Sequence, residues 1–235
     1  MGERVRGRLL IIGGAEDKDG EMEILREAVR LADGGRMLVV TTATEHPEEA
    51  GADYRTLFLK LGAKDAQAVR IDSRSQAESP EAAKALRQAD AVFFTGGDQL
   101  RITSILGGTR AYQALMEAYR RGALVAGTSA GASALSSTMI TDGLNNDPAR
   151  KCTLKMAPGL GLIEQALIDQ HFAQRGRLGR LLCGVAENPH VLGIGIDEDT
   201  AIRIEPDACF FVLGSSAVTV IDGVSIRESN VSELA

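Results

Sequence analysis

Along the first half of the chain, short apolar runs alternate with stretches of helical periodicity. The runs fall at residues 8–12, 37–41, 67–71, 90–94 and 123–127, and helical patterns occupy 22–31, 45–61, 79–89, 99–106 and 110–121. This alternation constrains the fold more than any other feature. Apolar runs this short read as strands buried on both faces, and intervening helices make each strand-to-strand return a parallel crossover. The expectation is an α/β fold with a doubly wound, mainly parallel sheet. Ser79 and Pro80 mark one helix start, as cap and first-turn proline, and Gly62 marks a helix stop.

A parallel sheet binds ligands at the carboxyl ends of its strands. The turns 13–17, 95–99 and 127–131 each follow a predicted strand and are therefore expected on one edge. The third turn, Gly127-Thr128-Ser129-Ala130-Gly131, fits the G-x-S-x-G elbow. In an elbow, the serine sits in a strained strand-to-helix turn and its hydroxyl is exposed. The flanking glycines let strand and helix pack closely, and the next amide, of Ala130, is aimed at a developing oxyanion. Gly96 or Gly97 supplies a second donor, since glycine permits close backbone approach. The first turn, Gly13-Gly14-Ala15-Glu16-Asp17, lacks both the dinucleotide-binding glycine pattern and a Walker lysine.

A nucleophilic serine needs a base, and the base needs an orienting partner. The chain has 3 histidines. His46 precedes a proline at a helix start, and His190 follows Asn188-Pro189 in a turn. His171 lies past an apolar run among Asp169, Gln170 and Arg175 and is the best base. For its partner the residues leave Asp197, Glu198, Asp199 and Asp169 open. Arg177 and Arg180 are three apart, so on a helix they share a face suited to clamping a carboxylate.

Beyond residue 136 the alternation fades. Residues 141–148 read as a loop, 160–163 and 166–168 as a broken strand, 175–186 as a helix and 191–196 as a strand. Residues 201–204, 209–213 and 217–221 read as short antiparallel strands closing a single domain, 1–235.

With 235 residues, 44% hydrophobic and 25% charged, the chain is of the globular class. The net charge of −6 argues against nucleic acid as a partner. No apolar stretch reaches the length of a membrane span, and the N-terminus lacks a signal-peptide pattern. Cys152, Cys183 and Cys209 are scattered, odd in number and outside metal spacing, which suits a cytoplasmic protein.

Taken together, Phe94-Thr95-Gly96-Gly97-Asp98-Gln99, the 127–133 elbow, Asp169-Gln170-His171-Phe172, Arg175-Gly176-Arg177-Leu178-Gly179-Arg180 and Gly195-Ile196-Asp197-Glu198 closely resemble the cyanophycinase family of serine exopeptidases. That family is related to the aspartyl dipeptidase peptidase E, and the resemblance runs in order from residue 8 to about 221. It implies a flavodoxin-like sheet of the class I glutamine amidotransferase kind, with Ser in place of their Cys. It implies Ser129 as nucleophile, His171 as base and Glu198 as third member, with Gly97 and Ala130 as oxyanion donors. Gln99, Asp169, Gln170, Arg175, Arg177 and Arg180 would fall on substrate-pocket positions. No metal or cofactor is implied. The expected substrate is cyanophycin, a poly-aspartate carrying arginine on each β-carboxyl, cut to β-Asp-Arg dipeptides by a cytoplasmic homodimer. Asp98 or Asp169 would meet the arginyl guanidinium. The rival readings are an aspartyl dipeptidase acting on other small peptides and a non-catalytic binding protein on the same fold.

Overall fold

The computed structural model describes residues 7–145, 149 and 154–231. Its centre is β1 (Leu9–Ile12), β5 (Leu124–Thr128), β4 (Ala91–Phe94), β2 (Arg36–Val40) and β3 (Asp65–Val69), which lie parallel in that order. β10 (Thr200–Ile204) and β11 (Phe210–Gly214) extend the β1 edge antiparallel, completing a seven-stranded sheet. The central strands are buried on both faces, which is why they read as unbroken apolar runs. On one face, Leu10, Ile12, Met37, Val39 and Phe93 pack beneath α1 (Glu23–Leu31) and α2 (Pro47–Lys60). Phe93 lies between Tyr54 and Phe58 of α2, with ring centroids at 4.6 and 5.2 Å. On the other, Leu9, Ile11, Leu38, Val92, Phe94 and Val125 meet α4 (Pro80–Gln88) and α6 (Arg110–Arg121). A fully buried aromatic such as Phe93 contributes about 1.5–3 kcal/mol over its exposed state.

Local signals set these helices. Ser79 Oγ accepts from the Ala82 amide at 3.1 Å, with Pro80 in the first turn of α4. Thr109 caps α6 in the same way. Short α3 (Arg74–Ala77) is a single turn that the sequence pattern does not reveal. α5 (Gln99–Leu106) begins at Asp98, whose side chain caps it. The elbow leads into α7 (Ala130–Ala134).

The second half departs from expectation in four places. Residues 160–163 form no strand, only a single bridge from Ile163 to Ser136. Residues 141–148 are not simply a loop: β6 (Thr138–Gly143) pairs antiparallel with β7 (Leu154–Pro158), and 146–148 lie outside the described residues, as does Cys152. The arms are only six and five residues long, and neither carries a clean apolar alternation that would mark it as a strand. The helix expected from 175 starts only at Leu178, as α8 (Leu178–Glu187), because His171 and Gly176 take positive φ and turn the chain first. The closing strands divide between two sheets. β12 (Val218–Asp222) leaves β10 and β11 and joins β9 (Leu192–Ile196), which lies parallel to β8 (Ala166–Gln170) in a separate three-stranded sheet. Among the described residues no helix is long and apolar enough to cross a membrane.

Candidate active site

Three strand ends meet at the elbow. Thr128 closes β5 in register with Ile12 of β1, and the Ser129 amide donates to the Ile12 carbonyl at 3.0 Å. Ser129 has φ 53° and ψ −113°, a conformation that costs a non-glycine residue about 1–3 kcal/mol. Its surroundings enforce it. A Cβ on Gly127 would fall 2.5 Å from the Gly131 backbone, and one on Gly131 would fall 2.5 Å from the Phe94 carbonyl oxygen. The spacing of the two glycines is thus a packing requirement between β5, α7 and β4.

His171 follows β8 and also has positive φ, at 46°. Its amide donates to the Gly13 carbonyl at 2.8 Å, tying the three-stranded sheet to the turn after β1. Its Nε2 lies 3.0 Å from Ser129 Oγ, and its Nδ1 lies 2.6 Å from Glu198 Oε1. Both contacts are within hydrogen-bond reach, and together they form a serine–imidazole–carboxylate relay.

The carboxylates left open by the sequence are separated by the structure. Asp197 is buried and accepts from the Ala173 amide and from Ser216 Oγ and the Ala217 amide. Asp199 Oδ1 accepts from the Asp17 amide at 2.8 Å. Only Glu198, between them, reaches the imidazole, and its own amide donates to Gln174 Oε1 at 3.1 Å. Asp169 is fully buried and points to arginines instead. Arg180 Nε donates to one of its oxygens at 2.6 Å and Arg180 Nη2 to the other, while Arg177 Nη1 lies 3.4 Å away.

This corrects one expectation. With both oxygens engaged and no solvent exposure, Asp169 is not disposed to meet a substrate guanidinium. Arg177 and Arg180 are likewise buried and committed to Asp169, and Arg177 also donates to the Gln170 carbonyl and lies 3.4 Å from Asn145 Oδ1. Burial lowers the Arg177 guanidinium to about 10, against the pull of Asp169. Arg175, by contrast, is exposed. Gln170 Oε1 stands 3.5 Å from Ser129 Oγ. Gln99 Nε2 donates to the Ile140 carbonyl at 3.0 Å, linking α5 to the β6–β7 hairpin.

The 95–99 turn, which carries the candidate glycine donors, runs past the elbow. A Cβ on Gly96 would lie 3.4 Å from Ser129 Cβ, so this turn passes directly beside the serine. Gly97, at φ 138°, backs onto the Ala43 carbonyl and is followed by Asp98, whose amide donates to that carbonyl at 2.9 Å. Ala130 heads α7, where intrahelical bonding leaves the first amides without partners.

Burial lowers the His171 pKa below its ordinary value. Glu198 opposes that shift, and Arg175 and Arg177 reinforce it. The imidazole is thus held neutral near neutral pH, the form that accepts a proton. Among the described residues, no three His, Cys, Asp or Glu side chains converge as metal ligands would. The residues that sequence reasoning missed are Gln174, Asn145 and Glu16. Glu16 lay in view within the first turn but carried no signal of what it would touch.

The chain matches the profile of Peptidase family S51 over residues 9–212. A curated relative from Trichormus variabilis, named cyanophycinase, is 39% identical over 94% of this chain and 76% of its own length. Another of that name, from Geminocystis herdmanii, is 34% identical over 100% of this chain and 88% of its own. The crystal structure of a peptidase from an acI-B1 actinobacterium superposes with a TM-score of 0.74 at 22% identity, covering 95% of this chain and 93% of that one, a likeness of fold.

Proposed function

The chain belongs to peptidase family S51, and from that premise we propose that it is a serine-type exopeptidase that degrades cyanophycin to β-Asp-Arg dipeptides. The observation that carries this reading is the relay from Ser129 Oγ through His171 to Glu198, at 3.0 and 2.6 Å. The substrate follows from the 34–39% identity to curated cyanophycinases over nearly the whole chain.

In this reading Ser129 attacks the backbone carbonyl carbon as His171 Nε2 takes its proton. Glu198 fixes the imidazole tautomer and stabilises the imidazolium. The oxyanion is met by the amides of Gly97 and Ala130. His171 returns the proton to the leaving amine, and the acyl-enzyme forms. Water, giving a proton to the same imidazole, attacks the acyl carbon; the bond to Ser129 Oγ then breaks, Oγ takes the proton back from His171, and the acid leaves. Gln99, Gln170 and exposed Arg175 are the side chains proposed to meet substrate. Arg177, Arg180 and Asp169 are proposed to brace that wall from behind.

The sheet order, with helices on both faces and the nucleophile at a strand end, favours a flavodoxin-like sheet of the glutamine amidotransferase kind. We read the chain as one domain, because a single apolar cluster joins Ile168, Ile194 and Ile196 of the smaller sheet to Leu9, Ile11 and Val125 of the larger. A cytoplasmic homodimer is the working form the family likeness suggests.

The test is release of β-Asp-Arg from purified cyanophycin by the unaltered protein and by Ser129→Ala. Release that vanishes in the variant supports substrate and nucleophile together. No release by either protein, with cleavage of small aspartyl dipeptides instead, moves the substrate to that class. Release that survives in Ser129→Ala overturns the mechanism.

A further inference from the structure

The turn after β1 touches every member of the relay or its immediate neighbour. The Ile12 carbonyl holds the Ser129 amide, and the Gly13 carbonyl holds the His171 amide. The Gly14 carbonyl accepts from the Asp199 amide at 2.9 Å, beside Glu198. The Asp199 carboxylate in turn accepts from the Asp17 amide. Gly14 itself lies flat against the imidazole: a Cβ there, at φ +103°, would stand 2.4 Å from His171 Cε1 and Nε2. Whatever fixes this turn therefore fixes the distances between three groups carried by different strands.

One side chain in the turn points into the protein. Glu16 is 4% exposed. One of its oxygens accepts from Thr128 Oγ1 at 2.6 Å, and the other accepts from Tyr54 Oη of α2. Thr128 and Tyr54 are buried as well. Burial and the Glu16 carboxylate push the Tyr54 phenol above its ordinary pKa, so it stays a donor. Lys18 Nζ sits 4.4 Å from the centre of the Tyr54 ring, closing the far side. A buried carboxylate is costly to leave without partners, so the two hydroxyls are strongly held. Thr128 immediately precedes Ser129, so the Glu16–Thr128 bond pins the strand end from which the strained elbow departs.

We infer that Glu16 is a positioning residue for the proposed nucleophile, locking the 13–17 turn to Thr128 and Tyr54 and so holding Ser129 and His171 at reacting distance. This rests on the reading of Ser129 as nucleophile. It adds that the relay depends on a buried carboxylate that touches no reacting atom.

The experiment uses Thr128→Val, which removes the hydroxyl at nearly constant volume, with Thr128→Ser as the conservative rescue and Glu16→Gln as a neutral near-isostere. The probe is a fluorophosphonate, which reports serine nucleophilicity without reference to any peptide substrate. Labelling rate per folded molecule is measured beside kcat and KM on cyanophycin, with folding followed by circular dichroism. Misplacement of reacting groups by a fraction of an ångström lowers rate with little change in ground-state binding, so labelling and kcat should both fall about 10- to 100-fold in Thr128→Val at unchanged KM. Glu16→Gln should fall in the same direction, and Thr128→Ser should return to within about threefold of the unaltered protein. Labelling of folded Thr128→Val and Glu16→Gln within about twofold of the unaltered protein would overturn the inference and leave the nucleophile standing. No labelling of Ser129 in the unaltered protein would overturn the nucleophile reading and this inference with it.

Discussion

The Asp169 carboxylate and the Arg180 guanidinium meet as a two-pronged pair, each carboxylate oxygen accepting from a different guanidinium nitrogen, with both side chains buried. Arg177 leans on the same carboxylate from 3.4 Å. One anion thus compensates two buried cations, and one of them, Arg177, also donates to the Gln170 carbonyl.

Breaking this pair from the acidic side leaves two buried guanidinium groups without their anion. Asp169→Asn should cost about 3–5 kcal/mol of stability, the range for removing one partner of a buried ion pair. Guanidinium-induced unfolding measures it. Asp98, which is exposed and caps α5, serves as the control, and Asp98→Asn should stay within about 1 kcal/mol because the amide still accepts from the Leu100 amide.

Glu198→Gln keeps the shape of the third relay member but removes its charge and can present a donor to Nδ1. The wrong imidazole tautomer then faces Ser129. A fall in kcat on the order of 10³- to 10⁴-fold is expected, as for tautomer loss in other serine relays. Asp197→Asn and Asp199→Asn should each lose far less per folded molecule, since neither carboxylate touches the imidazole. Steady-state hydrolysis by the three variants checks the ranking.

The pH profile follows from the lowered His171 pKa. The base must be neutral, so kcat/KM should be flat near neutrality and decline only as pH drops through a value below the ordinary 6.5. Arg175 is one of the charges that lowers it, so Arg175→Gln should move the acid limb toward higher pH. The same shift has a stability sign. Because the folded pKa is depressed, the unfolded chain takes up the proton first, and the stabilisation present above pH 6.5 is lost as pH falls through the folded value. Rates and unfolding midpoints across pH 4–8 test both consequences.

Gly14→Ala places a Cβ against the imidazole and forces it away from Ser129. With a 2.4 Å approach to two ring atoms and a positive φ, accommodation requires the ring to move, and kcat should fall at least about 100-fold. Gly62 has a similar φ, but a Cβ there meets nothing within 4 Å. Gly62→Ala therefore carries the backbone strain alone, and its activity per folded molecule should match the unaltered protein.

Much of this protein is legible in its sequence, for local reasons. The buried strands are short enough and apolar enough to announce themselves, and Ser79 and Gly62 punctuate helices through a hydrogen bond and a torsion that act within a few residues. The elbow is legible because its glycine spacing answers a packing need between adjacent segments. What the tertiary structure alone decided depends on contacts between distant residues. Three consecutive acids at 197–199 are equivalent in sequence, yet only Glu198 is turned toward an imidazole 27 positions away. Asp169 and the arginines near it look like a substrate clamp until burial shows them bound to one another. Glu16 reads as one more polar turn residue until β5 brings Thr128, 112 positions away, within 2.6 Å of it. Periodicity and capping are properties of neighbours along the chain. The partner of a buried charge is fixed by which segments the packed sheets bring together.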